Sequence, residues 1–192
     1  CNSGPCAHWW LERVRVLGSN AATGNSGADA FAIEEGRQIV VVDSEFLGAE
    51  ADGIDTKAED VVVYGARVAV GRNGIKLWHG GDVIDSVVTD CGGDGCLIGD
   101  QTGRYRYLHV LATHYGEPGE PAGYHGTWGY DVAVADTSFS VEIVNSVFAE
   151  NAGPGGFYFP AEAQVSIRRS LFDDVDAKLV DLSDGTSLLV SD

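Results

Sequence analysis

The chain has 192 residues, of which 44% are hydrophobic and 26 are glycine. That length supports one domain with a proper core; no apolar run approaches the ~20 residues of a membrane-spanning helix, and the glycines lack the triplet period of collagen. Twelve basic against 29 acidic side chains give a formal charge of −17, which repels phosphate backbones, so neither nucleic acid nor an anionic membrane is an expected partner.

The first residues carry Cys1, Cys6, Trp9 and Trp10. Two close cysteine pairs, Cys1 with Cys6 and Cys91 with Cys96, are disulfide candidates in an exported protein and thiols inside a cell. Their spacing does not match a zinc ribbon or knuckle. Cys96 as a buried thiol, and Cys1 as a lipidated first residue, are the alternatives. Methionine is absent, so a processed chain or a piece of a longer one is expected. Three lysines against 18 aspartates suit a saline, calcium-exposed setting, and an extracellular or cell-surface location follows.

Taken along the chain, one strand pattern recurs. It appears around Val16-Leu17-Gly18-Ser19, then at Val41–Phe46, Val63–Val68, Val83–Val88, Tyr107–Ala112, Ile143–Phe148 and Ile167–Phe172. Its small-residue column reads Ser19, Ser44, Ala66, Ser86, Val110, Ser146 and Ser170, with spacings of 25, 22, 20, 24, 36 and 24. Between these copies lies a second pattern, at Ala28–Ile33, Ala51–Lys57, Arg72–Trp78, Gly93–Ile98 and, more weakly, Tyr130–Ala135. These segments alternate with period two, as half-buried strands do, and helical periodicity is nearly absent. The one long spacing holds a Gly/Pro-rich insertion, residues 115–130, with Tyr115, Tyr124, His125, Trp128 and Tyr130.

Short strands at a period near 22 bury their faces when each repeat stacks on the next. The expected fold is all-β: a right-handed parallel β-helix of about seven coils, each of three short strands, forming one domain over residues 1–192. The inward columns are Val16, Val41, Val63, Val83, Tyr107, Ile143, Ile167; then Ala21, Phe46, Val68, Val88, Ala112, Phe148, Phe172; then Phe31, Ile54, Ile75, Cys96, Ala133. Glycine after Asp52, Asn73 and Asp94 is expected to supply the special backbone angles of a corner. A β-sandwich is the competing architecture, and the columnar identity of the repeats argues against it.

Stacking also aligns chemistry. Asp29, Asp52, Asn73, Asp94 and Asp131 fall in one ladder; Asp55 lies beside Lys76; and Glu34, Lys57 and Trp78 occupy successive coils. Strands ~4.8 Å apart bring like charges together at a cost unless a cation intervenes, so Asp29, Asp52 and Asp55 are candidate calcium ligands. The same side chains also suit Asx turns onto backbone N–H groups. Trp78, Tyr124 and Trp128 are candidate sugar platforms, while Trp9 and Trp10 are expected to cap the first coil. His8, His79, His109, His114 and His125 show no metal spacing.

With Asn73-Gly74-Ile75-Lys76-Leu77-Trp78 as its typical stretch, the chain from Trp9 onward resembles the right-handed β-helix proteins of the pectate-lyase-like superfamily. Calcium-dependent lyases of the ninth polysaccharide-lyase family carry Asp-Asp-Gly-x-Asp; this chain has Ala51-Asp52-Gly53-Ile54-Asp55, with Ala51 in place of the first acid. The resemblance implies a polysaccharide partner, calcium, and β-elimination with Lys76 or Lys57 as base: a neutral lysine takes the C5 proton of a uronate and the oxygen at C4 leaves. The alternative is a non-catalytic adhesion, coat or filament module that self-associates end to end.

Overall fold

A computed structural model describes residues 6–18, 28–69, 72–91, 95–99, 103–115, 127–129, 139–151, 157–159, 163–172, 180–182 and 187–188. Every regular element among them is a strand. In chain order these are β1 (Cys6–Glu12), β2 (Arg15–Leu17), β3 (Phe31–Val42), β4 (Glu45–Leu47), β5 (Asp52–Tyr64), β6 (Arg67–Ala69) and β7 (Asn73–Leu77). Then come β8 (Gly81–Ile84), β9 (Val87–Cys91), β10 (Leu97–Gly99), β11 (Gly103–Leu108), β12 (Leu111–Tyr115), β13 (Thr127–Gly129) and β14 (Phe139–Val144). The last are β15 (Val147–Asn151), β16 (Phe157–Phe159), β17 (Gln164–Arg168), β18 (Leu171–Phe172), β19 (Val180–Leu182) and β20 (Ser187–Leu188).

Pairing is parallel except between β19 and β20. One ladder runs β2-β4-β6-β9-β12-β15-β18. A second runs β1-β3-β5-β8-β11-β14-β17, and a third continues from β3 and β5 through β7, β10, β13, β16 and β19. The last two share the long strands: β5 pairs β7 through Asp52–Thr56 and β8 through Val62–Tyr64. Each strand therefore pairs with its equivalent one repeat away, and three such ladders enclose the core.

Two inward columns hold in register over most of their length. Val41, Val63, Val83, Tyr107, Ile143 and Ile167 align, as do Phe46, Val68, Val88, Ala112, Phe148 and Phe172. Phe148 stacks on Phe172 with ring centroids 5.3 Å apart. The first repeat differs from expectation. Leu11, not Val16, pairs with Val41, and Val16 pairs with Phe46. The cause is Val14, which fills the corner position that Ser44 fills one repeat later and so hides the small-residue signal. In the third column Leu97 faces Ile75, displacing Cys96 by one, and Thr127 faces Leu97. Ala21, Ala133 and the expected strand at 130–135 lie outside the described residues, while Thr127–Gly129 of the expected insertion is a ladder strand.

The corner between the first two ladders has a simple rule. Arg13, Asp43, Gly65, Asp85, His109, Asn145 and Arg169 all have positive φ, between 46° and 65°. Asp, Asn, His and Gly tolerate this left-handed conformation best, and they fill five of the seven places. The next residue is buried in five of the repeats and half-buried at Val14 and Ser170, and where it is serine its hydroxyl repairs the interrupted ladder. Ser86 Oγ–H donates to the Ile84 carbonyl at 2.8 Å and accepts from the Ala66 N–H at 3.1 Å; Ser44, Ser146 and Ser170 repeat the arrangement. Of the glycines after Asp52, Asn73 and Asp94, Gly53 and Gly74 have no positive φ, whereas Gly95 has one of 155°. Gly74 answers to space instead: a Cβ there would collide with the Cys96 carbonyl oxygen and with Val88.

Cys91 and Cys96 form a disulfide, with Cα atoms 5.3 Å apart. The buried-thiol alternative for Cys96 is thereby excluded. Of the other pair, Cys1 lies outside the described residues. Trp9 and Trp10 are 41% and 64% exposed, so they flank the first repeat and do not close over it as expected.

Candidate functional site

The site is built on the outward side of β5 and β7. Alternation along β5 buries Asp52, Ile54, Thr56 and Ala58, and leaves Asp55 and Lys57 half-buried on the other side. Along β7 the same rule buries Asn73, Ile75 and Leu77 and turns Lys76 outward. Register then places Asp55 opposite Lys76 and Thr56 opposite Leu77, so Lys57 falls beside Trp78.

Four groups meet here. The Trp78 indole N–H donates to Asp55 Oδ1 at 2.6 Å, which fixes the edge of the ring. Lys76 and Lys57 lie over that ring, their Nζ atoms 4.4 and 4.9 Å from its centroid, within cation–π range. Lys57 is also ion-paired with Glu34 one repeat earlier. That hydrogen bond, against a smaller desolvation penalty, raises the Lys57 pKa above its ordinary value. Burial raises the Asp55 carboxyl, and the Trp78 hydrogen bond and the Lys76 charge oppose it. The four charged groups balance: two ammoniums against the carboxylates of Asp55 and Glu34.

Asp29, Asp52 and Asn73 form the expected ladder, but on the inward side. Asp29 Oδ1 accepts from the Asp52 backbone N–H at 3.0 Å, and Asp52 Oδ1 accepts from Asn73 Nδ2 at 2.7 Å. Asp52 is 7% exposed. Burial pushes its pKa up to about 6, opposed by the Asn73 bond and assisted by the charges of Asp55 and Asp29. Asp52 and Asp55 thus project to opposite sides of one strand, and each already has a partner. Among the described residues, no three His, Cys, Asp or Glu side chains gather into a group that would hold a metal ion. This donor set does not fit a calcium cage.

Trp128 sits in β13, where it pairs with Ile98, and Ile98 pairs with Lys76. Tyr158 of β16 continues the same line beside Trp128. The sequence gives little sign of Tyr158, because Phe157-Tyr158-Phe159 shares no pattern with its equivalents. Tyr124, Asp94 and Asp131 lie outside the described residues. A separate polar chain crosses the corner ridge: His109 Nδ1 lies 2.9 Å from Asp85 Oδ1, and Asn145 Nδ2 lies 3.1 Å from His109 Nε2. Its signal was the recurrence of corner residues, which spacing rules for metal ligands do not detect.

No family model, no curated protein and no solved structure matches this chain. Among the described residues, no helix is long and apolar enough to cross a membrane.

Proposed function

We propose that the chain is a right-handed parallel β-helix of about seven coils, of the pectate-lyase-like kind, that binds polysaccharide outside the cell or at its surface. Nearest-repeat parallel pairing in three ladders supports the architecture, and the Cys91–Cys96 disulfide supports an oxidising location. The observation that carries the function is Trp78. Its ring is fixed at the edge by Asp55 and overlaid by two lysines, which combines an aromatic surface with hydrogen-bonding groups around it, as sugar recognition uses. Cleavage by β-elimination would need a lysine that is neutral at the moment of proton transfer. Glu34 holds Lys57 in the charged form, so Lys76 is the base to test.

Affinity electrophoresis against a panel of soluble polysaccharides tests binding. Retardation by at least one polymer, lost in Trp78→Ala with the fold intact, supports the reading; no retardation by any polymer overturns it. Ultraviolet absorbance of a new C4–C5 double bond on uronate polymers, in wild type and Lys76→Ala, tests elimination.

A second reading, an end-to-end assembling structural module, is favoured by Trp10 and Leu17, which are 64% and 62% exposed. They lie on β1 and β2, strands paired on one side only among the described residues. A concentration-dependent rise in mass, abolished by Trp10→Ser with Leu17→Ser, is its signature.

A further inference from the structure

A second column of left-handed residues stands apart from the serine corner, within β1, β3 and β5. His8, Gln38 and Asp60 have φ of 60°, 59° and 55°. Register sets them side by side: Ala7 and Trp9 pair with Arg37 and Ile39, which pair in turn with Glu59 and Val61. Among the described residues, no hydrogen bond or ion pair engages these three side chains. With Trp9, Trp10 and Val40 they line a cleft of about 480 Å³, within the size range of ligand pockets.

Trp10 supplies the aromatic wall. It is 64% exposed, and its indole N–H donates to Glu12 at 3.2 Å. Among the described residues no cation lies over its ring, unlike that of Trp78. An imidazole, an amide and a carboxylate therefore stand beside an open aromatic surface. They offer both donors and acceptors, which complements a sugar's hydroxyls around its apolar face. A cation fits less well. Trp9 and Trp10 are successive residues, paired with buried Ile39 and half-buried Val40, so their rings leave opposite sides of the strand and close no cage around a charge. The lining has no Lys or Arg to hold an anion.

We propose that this cleft is a second sugar site, which takes an uncharged sugar unit of the polysaccharide bound at Trp78. The inference rests on the polysaccharide-binding reading above and extends it. Asp60 follows Lys57 by three residues on β5, ~10 Å at the rise of a strand, and Gln38 follows Glu34 by four on β3. The same two long strands thus carry both sites, and one polymer chain engages them together.

The test is titration calorimetry with soluble glucan, mannan and xylan, beside polygalacturonate and choline. The proteins are wild type, Trp10→Ala, Trp78→Ala, both together, and Gln38→Gly with Asp60→Gly, where glycine keeps the left-handed backbone and removes the polar groups. Expected is binding of a neutral polymer that Trp10→Ala weakens about tenfold, that the glycine variant also weakens, and that the double tryptophan variant weakens more than either single one. Matching urea unfolding curves separate lost contact from lost fold. Affinity unchanged in Trp10→Ala and in the glycine variant, but lost in Trp78→Ala, overturns this site and leaves polysaccharide binding intact. A lower mass of Trp10→Ala in sedimentation with unchanged affinity also overturns it, and assigns Trp10 to self-association. Binding of polygalacturonate or choline alone overturns the uncharged ligand, and no binding to any polymer overturns both readings.

Discussion

Asp52 offers a measurement that isolates one side chain. It is buried in the inward ladder, where desolvation lifts its pKa from an ordinary 3.8 to about 6 despite the hydrogen bond from Asn73. The folded protein therefore holds this proton more tightly than the unfolded chain does. The stabilisation by the protonated form is complete below 3.8, is lost as pH rises through about 6, and stays lost above it. A rise of roughly 2 in pKa corresponds to ~3 kcal/mol. Asp52→Asn removes the charge and keeps an oxygen for Asn73 Nδ2 to donate to. Urea unfolding of both proteins, with chelator present, should give nearly equal stabilities at pH 4. At pH 8 the variant should be more stable by up to ~3 kcal/mol. Asp55 titrates in both proteins, so it cancels in the difference apart from its repulsion of Asp52, which is a smaller cause of the rise than burial. A variant that is less stable at pH 8, or a difference that does not change with pH, refutes the reasoning.

Three further outcomes follow from the core. Ser86→Ala strands the Ala66 N–H, while the Ile84 carbonyl keeps its bond from the Gly65 N–H, and chemical denaturation should show a loss of about 1–3 kcal/mol, whereas Ala66→Ser, which extends the hydroxyl column, should gain stability. Tyr107 has a buried hydroxyl with no hydrogen-bond partner among the described residues, so Tyr107→Phe should stabilise by about 1–3 kcal/mol; a destabilised variant would reveal a partner. Replacing Cys91 and Cys96 together with alanine opens a loop of sequence separation 5 and should lower the melting temperature, with a stability loss of about 2 kcal/mol by chain entropy.

Much of the architecture was legible because the core repeats. Val41, Val63 and Val83 are spaced so that only nearest-repeat stacking buries all three, and six members of each main column align as read. The failures have physical causes. At Val14 a larger residue occupies the corner, so a search for small residues slid the first repeat by five positions. Cys96 is buried in the core as read, but Leu97 is the residue that pairs with Ile75, so the third column runs one position out. Gly74 looked like a turn glycine and serves close packing instead. For the site, the proximity of Asp55, Lys57, Lys76 and Trp78 could be read from register. The side to which Asp52 points could not, because an aspartate at the head of an apolar alternation reads as solvent-facing by composition and as inward by parity, and parity won.

The corner column has a consequence for how such a surface changes over time. What the fold demands at Asp43, Gly65, Asp85, His109 and Asn145 is a backbone angle, not a side-chain identity. Residues that tolerate the angle include an acid, an amide, an imidazole and nothing at all. The ridge is therefore a row of posts at ~4.8 Å pitch whose chemistry is rewritable one post at a time. Behind Asp43, Asp85 and Asn145 a serine keeps the ladder closed whichever of these side chains stands in front.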